Sequence, residues 1–271
     1  MVGLAAHIEQ YSLVIEIGGV PIRVNAADED FLQMLQDRYA GYVSSEANAE
    51  FEFDIDIGPP EGMEADAPVR VSCNSGRWFF ERGDFRAEWS PKSRRGVIRQ
   101  TANPYSIDAV LRIVHTLVLV QQGGFLVHSA SAIRNGRAFL FAGVSGAGKT
   151  TISRLAPPDA TLLTDEISYV RRRDGGYIAH GTPFTGELAR LGENTSAPVA
   201  ALYLLVQGKE NRIDPVGVAE AGRELLANML FFAEDSEMVH RAFQSACDFV
   251  DCVPVRRLTF VPDARVWEMI G

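Results

Sequence analysis

Cysteine is scarce in this chain: three residues, Cys73, Cys247 and Cys252, among 271. An odd number without C-x-x-C spacing gives neither a disulfide framework nor a metal clip, and a reducing cytoplasm is the simplest setting for such a protein. Positive charge is also in deficit, with 26 Lys and Arg against 35 Asp and Glu and a net charge of -9. No global field therefore draws nucleic acid to the molecule. The local basic clusters "PKSRRGVIR" (91–99) and "RRR" (171–173) read as solvated strand ends or turns. Long apolar runs are missing as well. "LRIVHTLVLV" (111–120) is interrupted by Arg112 and His115 and closed by "QQGG", well short of a membrane span. The first residues, "MVGLAAHIEQYS", have neither the basic start nor the apolar run of a secretion signal. Internal repeats and low-complexity segments are absent. A soluble, cytoplasmic protein is expected, and 46% hydrophobic residues over this length suffice for a proper core.

What is present changes character along the chain. The first part reads mainly as strands. "YSLVIEIGGVPIRVNA" (11–26) is two alternating runs around Gly18-Gly19, a hairpin signal. Helical spacing predicts a helix over 28–43, and "FEFDIDI" (51–57) alternates as a half-buried strand. After the acidic loop "GPPEGMEADAP", the runs "RWFFERG", "DFRAEWS" and "RGVIRQT" predict an antiparallel meander. The later part predicts a helix over 106–122, strands over 125–133 and 137–143 joined at Asn135-Gly136, and a short helix from Lys149 cut by Pro157-Pro158. "TLLTDE" (161–166) reads as a buried strand ending in two acids. "SYVRRR", "GYIAHGTPF" and "ALYLLVQG" follow as strands, then helices over 217–233 and 236–249 and a last strand "VPVRRLTFV". The expectation is a mixed α/β protein: a strand-rich region of unknown role over 1–104, and a nucleotide-binding core over 105–271 with a mixed sheet and flanking helices.

The chemistry concentrates in "FLFAGVSGAGKTTISRLA" (139–156). Gly143-Val144-Ser145-Gly146-Ala147-Gly148-Lys149-Thr150 matches the phosphate-loop pattern G-x-x-x-x-G-K-[ST], preceded by a strand and followed by a helix as the pattern requires. The glycines let the backbone fold into a nest of N–H groups around phosphates, and the helix N-terminus adds its dipole. Lys149 belongs on the β and γ oxygens, the Thr150 hydroxyl on Mg²⁺, and Thr151 closes the nucleotide-binding set. Sixteen residues after Lys149, Asp165 and Glu166 form an acid-tipped strand end that can hold the metal or accept a proton. His128 lies in an apolar strand, where a lone histidine is more often a hydrogen-bonded core residue than a catalyst. However, its hairpin folds against the strand feeding the loop. His180 begins a punctuated loop, "AHGTPFTGE" (179–187), able to cover the site, with Glu187 as a metal or substrate contact. His7, His115 and His240 enter no constellation.

The assembly "HSASAIRNGRAFLFAGVSGAGKTT", "LLTDE" and "HGTPFTGE" resembles the HPr serine kinase/phosphorylase family and its relatives, over roughly residues 105–265. That family shares its phosphate-loop architecture with ATP-type phosphoenolpyruvate carboxykinases. The resemblance implies that His128 sits near the metal and phosphates, that Asp165 is the base activating an acceptor hydroxyl or water, and that Glu166 helps bind the metal. It also implies assembly into a homo-oligomer. Three departures stand out: Thr150-Thr151 replaces the family's Ser-Glu, Glu166 replaces an Asp, and "HGTPFTGE" replaces a glycine-rich signature. These bear on the HPr substrate and the reverse phosphorylase reaction and leave nucleotide binding intact.

The expected activity is a kinase that moves the γ-phosphoryl group of ATP, with Mg²⁺, to a hydroxyl of a protein or peptide, with serine the expected acceptor. Catalysis then falls to Asp165, His128 and Lys149, and metal binding to Thr150, Asp165 and Glu166. A nucleotide-dependent binding or assembly module is the second reading, favoured by the missing carboxylate at Thr151. An ATPase motor or transporter subunit is the third; no L-S-G-G-Q element supports it.

Overall fold

The computed structural model describes residues 10–45, 48–58 and 68–271. His7, most of the N-terminal stretch and nearly all of the acidic loop lie outside the described residues. The chain divides into two compact units, 1–111 and 112–271.

The first unit is built on a seven-stranded sheet. The hairpin about Gly18-Gly19 forms as β1 (Tyr11–Ile17) and β2 (Val20–Ala26), both glycines taking positive φ of 62° and 75°. Helix α1 (Glu29–Arg38) begins where the Asp28 side chain accepts from the Phe31 N–H, and it buries Phe31, Leu32 and Leu35. It ends four to five residues before the helical spacing does. Tyr39 and Tyr42 are buried there by a turn through Gly41 (φ 87°), so core packing rather than helix accounts for their pattern. Strand β3 (Phe51–Ile57) runs parallel to β2, as a crossover through α1 requires. Then come β4 (Arg70–Asn74), β5 (Arg77–Arg82), β6 (Phe85–Ser90) and β7 (Arg95–Gln100). The strand order is β1-β2-β3-β7-β6-β5-β4. The meander is antiparallel from β4 to β7, but β7 also pairs parallel with β3. A Cβ on Gly96 of β7 would stand 2.4 Å from the Phe53 ring, so the pair closes only with glycine there.

Helix α2 (Pro104–Gln121) contains the boundary between the units. In the second unit, β8 (Phe125–Arg134) turns at Asn135-Gly136 into β9 (Arg137–Ala142), with Ser129 opposite Ala142. Both Asn135 (φ 52°) and Gly136 (φ 71°) are left-handed, the conformation an Asn-Gly turn supplies. The short helix α3 (Lys149–Arg154) is followed by β10 (Thr161–Thr164), β11 (Ile167–Arg173), β12 (Gly176–His180) and β13 (Ser196–Gln207). β14 (Arg212–Pro215), α4 (Val218–Asn228), α5 (Ser236–Cys252), β15 (Val255–Phe260) and a 3₁₀ turn (Ala264–Met269) complete it. The expected helix over 217–233 stops at Asn228, because Met229 leaves the helix and bridges to Val127.

From β8 the eight-stranded sheet reaches β13 by two routes: directly through β9, and through β11 and β12. β9 and β15 run parallel to β13 while the other pairings are antiparallel, so this is the mixed sheet that the sequence implies. β9 is buried on both faces. Ala138, Leu140 and Ala142 pack towards Leu225 and Phe249 of the two long helices, while Phe139 and Phe141 pack towards Ile152 and Trp267. The Trp267 indole N–H donates to the Ile152 carbonyl at 3.0 Å and holds α3 onto the sheet. Both faces covered by helices is what lets one apolar strand run unbroken into a functional loop. Among the described residues, no helix is long and apolar enough to cross a membrane.

Candidate functional site

The loop between β9 and α3 has the backbone of an anion nest. Gly146 and Gly148 adopt φ of 79° and 114°, values a side chain rarely tolerates, and a Cβ on Gly148 would also meet the Phe260 ring at 2.6 Å. The Gln207 side-chain amide donates to the Gly146 carbonyl at 2.6 Å and holds the loop's crown to the end of β13. Lys149, only 8% exposed, donates its ammonium to the Gly143 carbonyl at 2.8 Å. Burial lowers its pKa, against the opposing pull of Glu166 and Glu187.

Beneath this loop opens a cavity of about 420 Å³. It is lined by the phosphate-loop residues Ser145, Gly146, Gly148, Lys149, Thr150 and Thr151, and opposite them by His128, Asp165, Glu166, Gly186 and Glu187. The expected loop, histidine and acids thus meet in one place. Val144 and Ala147 belong to the loop but not to the lining, and the Gly143 carbonyl receives the lysine instead. His180 is not brought to the cavity. It ends β12, stacks edge-on to Tyr169 at 5.7 Å, and is buried enough to lower its pKa to about 4.

Asp165 and Glu166 follow directly on the end of a buried strand. β10 ends at Thr164, and the two acids form a bend before β11, which continues antiparallel along β8 as β10 does; there the Thr164 hydroxyl accepts from the N–H groups of Glu166 and Ile167 at 3.2 Å each. That bend sends the two acids different ways. Asp165 is 2% exposed, and its two oxygens accept from the Gly186 and Leu188 N–H groups, both at 2.9 Å. Glu166 faces the cavity, 3.4 Å from His128 Nδ1. His128 has its pKa lowered chiefly by burial, with Glu166 pulling it up and Lys149 and Arg112 pushing it down.

The latched segment carries Glu187 between Gly186 and Leu188, and its carboxylate accepts from the Thr150 hydroxyl at 3.1 Å. Gly186 lies close against both acids: a Cβ there would stand 2.7 Å from Glu166 Oε2 and 3.0 Å from Asp165 Oδ2, so a larger residue would push the Glu166 carboxylate aside. The cavity therefore gathers hard oxygen donors around Thr150, and these suit Mg²⁺ better than a soft metal. Among the described residues, no group of three His, Cys, Asp or Glu could by itself cage an ion. The donor set fits a cation completed by phosphate oxygens and water rather than a resident protein-only site.

The family model described as SynChlorMet cassette protein ScmC matches residues 98–271, well over half of the chain. The chain belongs to this family. The match takes in every cavity residue, from His128 to Glu187. No curated protein sequence matches the chain. Among solved structures, the chain is similar to the Hpr(Ser) kinase/phosphatase from Coxiella burnetii, with 10% identity over 50% of this chain and 84% of that one and a TM-score of 0.27.

The loop and both acids are legible in the sequence, but the Asp165 latch on Gly186 and Leu188 and the Gln207 contact are not. The glycine of "TGE" was the one available signal for a close approach, and nothing near Gln207 marks it.

Proposed function

We propose that this chain is an ATP-dependent kinase that transfers the γ-phosphoryl group to a hydroxyl, the acceptor being a serine of a protein or peptide. The observation that carries the reading is the convergence on one cavity of a phosphate loop, a paired carboxylate bend and a histidine. A loop alone would fit a motor, a switch or a kinase equally well.

In this reading the loop N–H groups and Lys149 hold the β and γ phosphates once the ammonium leaves the Gly143 carbonyl. The Thr150 hydroxyl with the carboxylates of Glu166 and Asp165 would hold Mg²⁺, which would supply neutralisation of phosphate charge. Glu187 stands next to that donor set. The acceptor oxygen forms a bond to the γ phosphorus as the bond to the β-bridging oxygen breaks and ADP departs. The acceptor's proton passes to the carboxylate pair at 165–166, with His128 beside Glu166 to steady the charge. Most of the rate then comes from positioning.

A nucleotide-dependent assembly module is the second reading, and a specific observation favours it. Both Asp165 oxygens are engaged by backbone, and position 151 has a hydroxyl where the resembled family has a carboxylate. Incubation with γ-labelled ATP, Mg²⁺ and lysate of the source cell separates the two. A phosphorylated serine species supports the kinase, and nucleotide-dependent complex formation without labelled product supports the module.

A further inference from the structure

A second cavity, of about 700 Å³, opens in the same unit and shares no lining residue with the first. Its walls include Ser153 and Arg154 at the end of α3, Pro157 in the following turn, Thr161 of β10, and Leu188 and Arg190. The last two come from the segment that Asp165 latches. Glu187 faces Thr150 in the first cavity, while its neighbour Leu188 lines the second, so one short segment is a wall of both. Along α3, Lys149 and Arg154 are five residues apart, about 7.5 Å of helical rise. That distance lies within the reach of a short peptide.

The two ends of the loop that carries the latched segment are anchored to β10. The Thr182 N–H donates to the Leu163 carbonyl at 3.1 Å, Gly192 to Thr182 at 3.2 Å, and Glu193 to Leu162 at 2.9 Å. A Cβ on Gly192 would fall 1.7 Å from the Leu163 carbonyl oxygen, so the chain can lie against β10 there only as glycine. The walls carry two arginines, Arg154 and Arg190, and one carboxylate, Glu193. Arg154 is exposed and makes no ion pair among the described residues. Arg190 pairs with Glu193 only at 3.8 Å, with both side chains more than half exposed. Ala156, Pro157, Leu162 and Leu188 add apolar surface between them. Arg154, without an ion pair among the described residues, and Arg190 outnumber Glu193, the carboxylate that shares the lining and pairs with Arg190, and this positive excess suits a ligand with carboxylates and an apolar body. The volume is that of an ordinary ligand site.

We propose that this second cavity is the acceptor subsite, binding an acidic peptide segment whose hydroxyl reaches past the latched segment into the phosphate-loop cavity. The proposal rests on the phosphoryl-transfer reading. Its test uses the full chain and a pool of short peptides with a central serine and randomised flanks. Peptides retained by the wild-type chain are read by mass spectrometry, alongside an Arg154→Gln/Arg190→Gln double variant whose Mg²⁺-ATP affinity is measured in parallel. The expected result is enrichment of Asp- and Glu-bearing peptides by about tenfold in the wild type. That enrichment should be lost in the double variant while nucleotide affinity stays unchanged. A retained set without acidic excess, or an excess that survives the double variant, overturns the acceptor assignment. Failure of the wild type to bind nucleotide would overturn the transfer reading instead, and the peptide result would still stand or fall separately.

Discussion

Asp165 and Glu187 lie on opposite sides of one short strip of backbone. The Asp165 carboxylate receives the N–H groups of Gly186 and Leu188, and the residue between them, Glu187, receives the Thr150 hydroxyl. A buried acid in the bend between β10 and β11 thus sets where a second acid stands over the phosphate loop. The first prediction concerns that second acid. In the absence of Mg²⁺, Glu187→Gln should bind ATP several-fold more tightly, because a carboxylate beside the phosphates is removed, worth about 1 kcal/mol near a surface. With Mg²⁺ present the gain should vanish. Equal affinity of variant and wild type in metal-free titrations would show that Glu187 does not face the phosphates.

Asp165→Asn replaces one acceptor oxygen by an N–H₂ group aimed at a backbone donor. Leaving a buried N–H unsatisfied costs about 1–3 kcal/mol. Hydrogen exchange at Gly186 and Leu188 should therefore speed up markedly, phosphoryl transfer should be lost, and ATP should still bind. Transfer at the wild-type rate would show that Asp165 is not the proton acceptor, and unchanged exchange would remove the latch.

Histidine protonation gives a pH dependence with a definite sign. His115 is fully buried, and burial lowers its pKa to about 3, with Arg171 lowering it further; His180 shifts the same way, to about 4. The unfolded chain takes up these protons first, near the ordinary histidine pKa of about 6.5. Stability is therefore complete above that value and declines as pH falls towards the folded pKa values. At pH 5 His115 alone accounts for a loss of about 2 kcal/mol. Urea unfolding at pH 8 and pH 5 should show it, and His115→Phe should remove about that share. A His115→Phe chain with the full wild-type pH dependence would contradict the assignment.

Gly148→Ala should abolish nucleotide binding while leaving the fold, since the φ of 114° and the Phe260 ring 2.6 Å from a Cβ together forbid the loop's shape. Circular dichroism checks the fold and nucleotide titration checks the loop. Wild-type affinity in this variant would mean that the nest is not what holds the phosphates.

Much of this was legible in the residues, and the reasons are local. Asn135-Gly136, the loop glycines and the alternation of "FEFDIDI" encode backbone geometry within a few positions, so β8, β9, α3 and β3 fall where expected. What escaped depends on partners distant in the chain. The pairing of β3 with β7 is fixed by Gly96 meeting Phe53. Tyr39 and Tyr42 mimic helical spacing while packing from a turn. The strands β4 and β14 are mostly exposed and polar, so no alternation of apolar residues marks them. In the cavity, side-chain chemistry identified Asp165 and Glu166, but only the Thr164-capped bend shows that one is buried against backbone and the other open to His128.

Whether the cavity under Gly143–Thr150 holds the phosphates of a nucleoside triphosphate is decided by calorimetric titration of Mg²⁺-ATP into the full chain and into Lys149→Ala. Saturable single-site binding is expected in the wild type, weakened at least about tenfold in the variant by loss of the ammonium's charge-assisted contacts. Absence of binding in the wild type, or equal affinity in the variant, would contradict it.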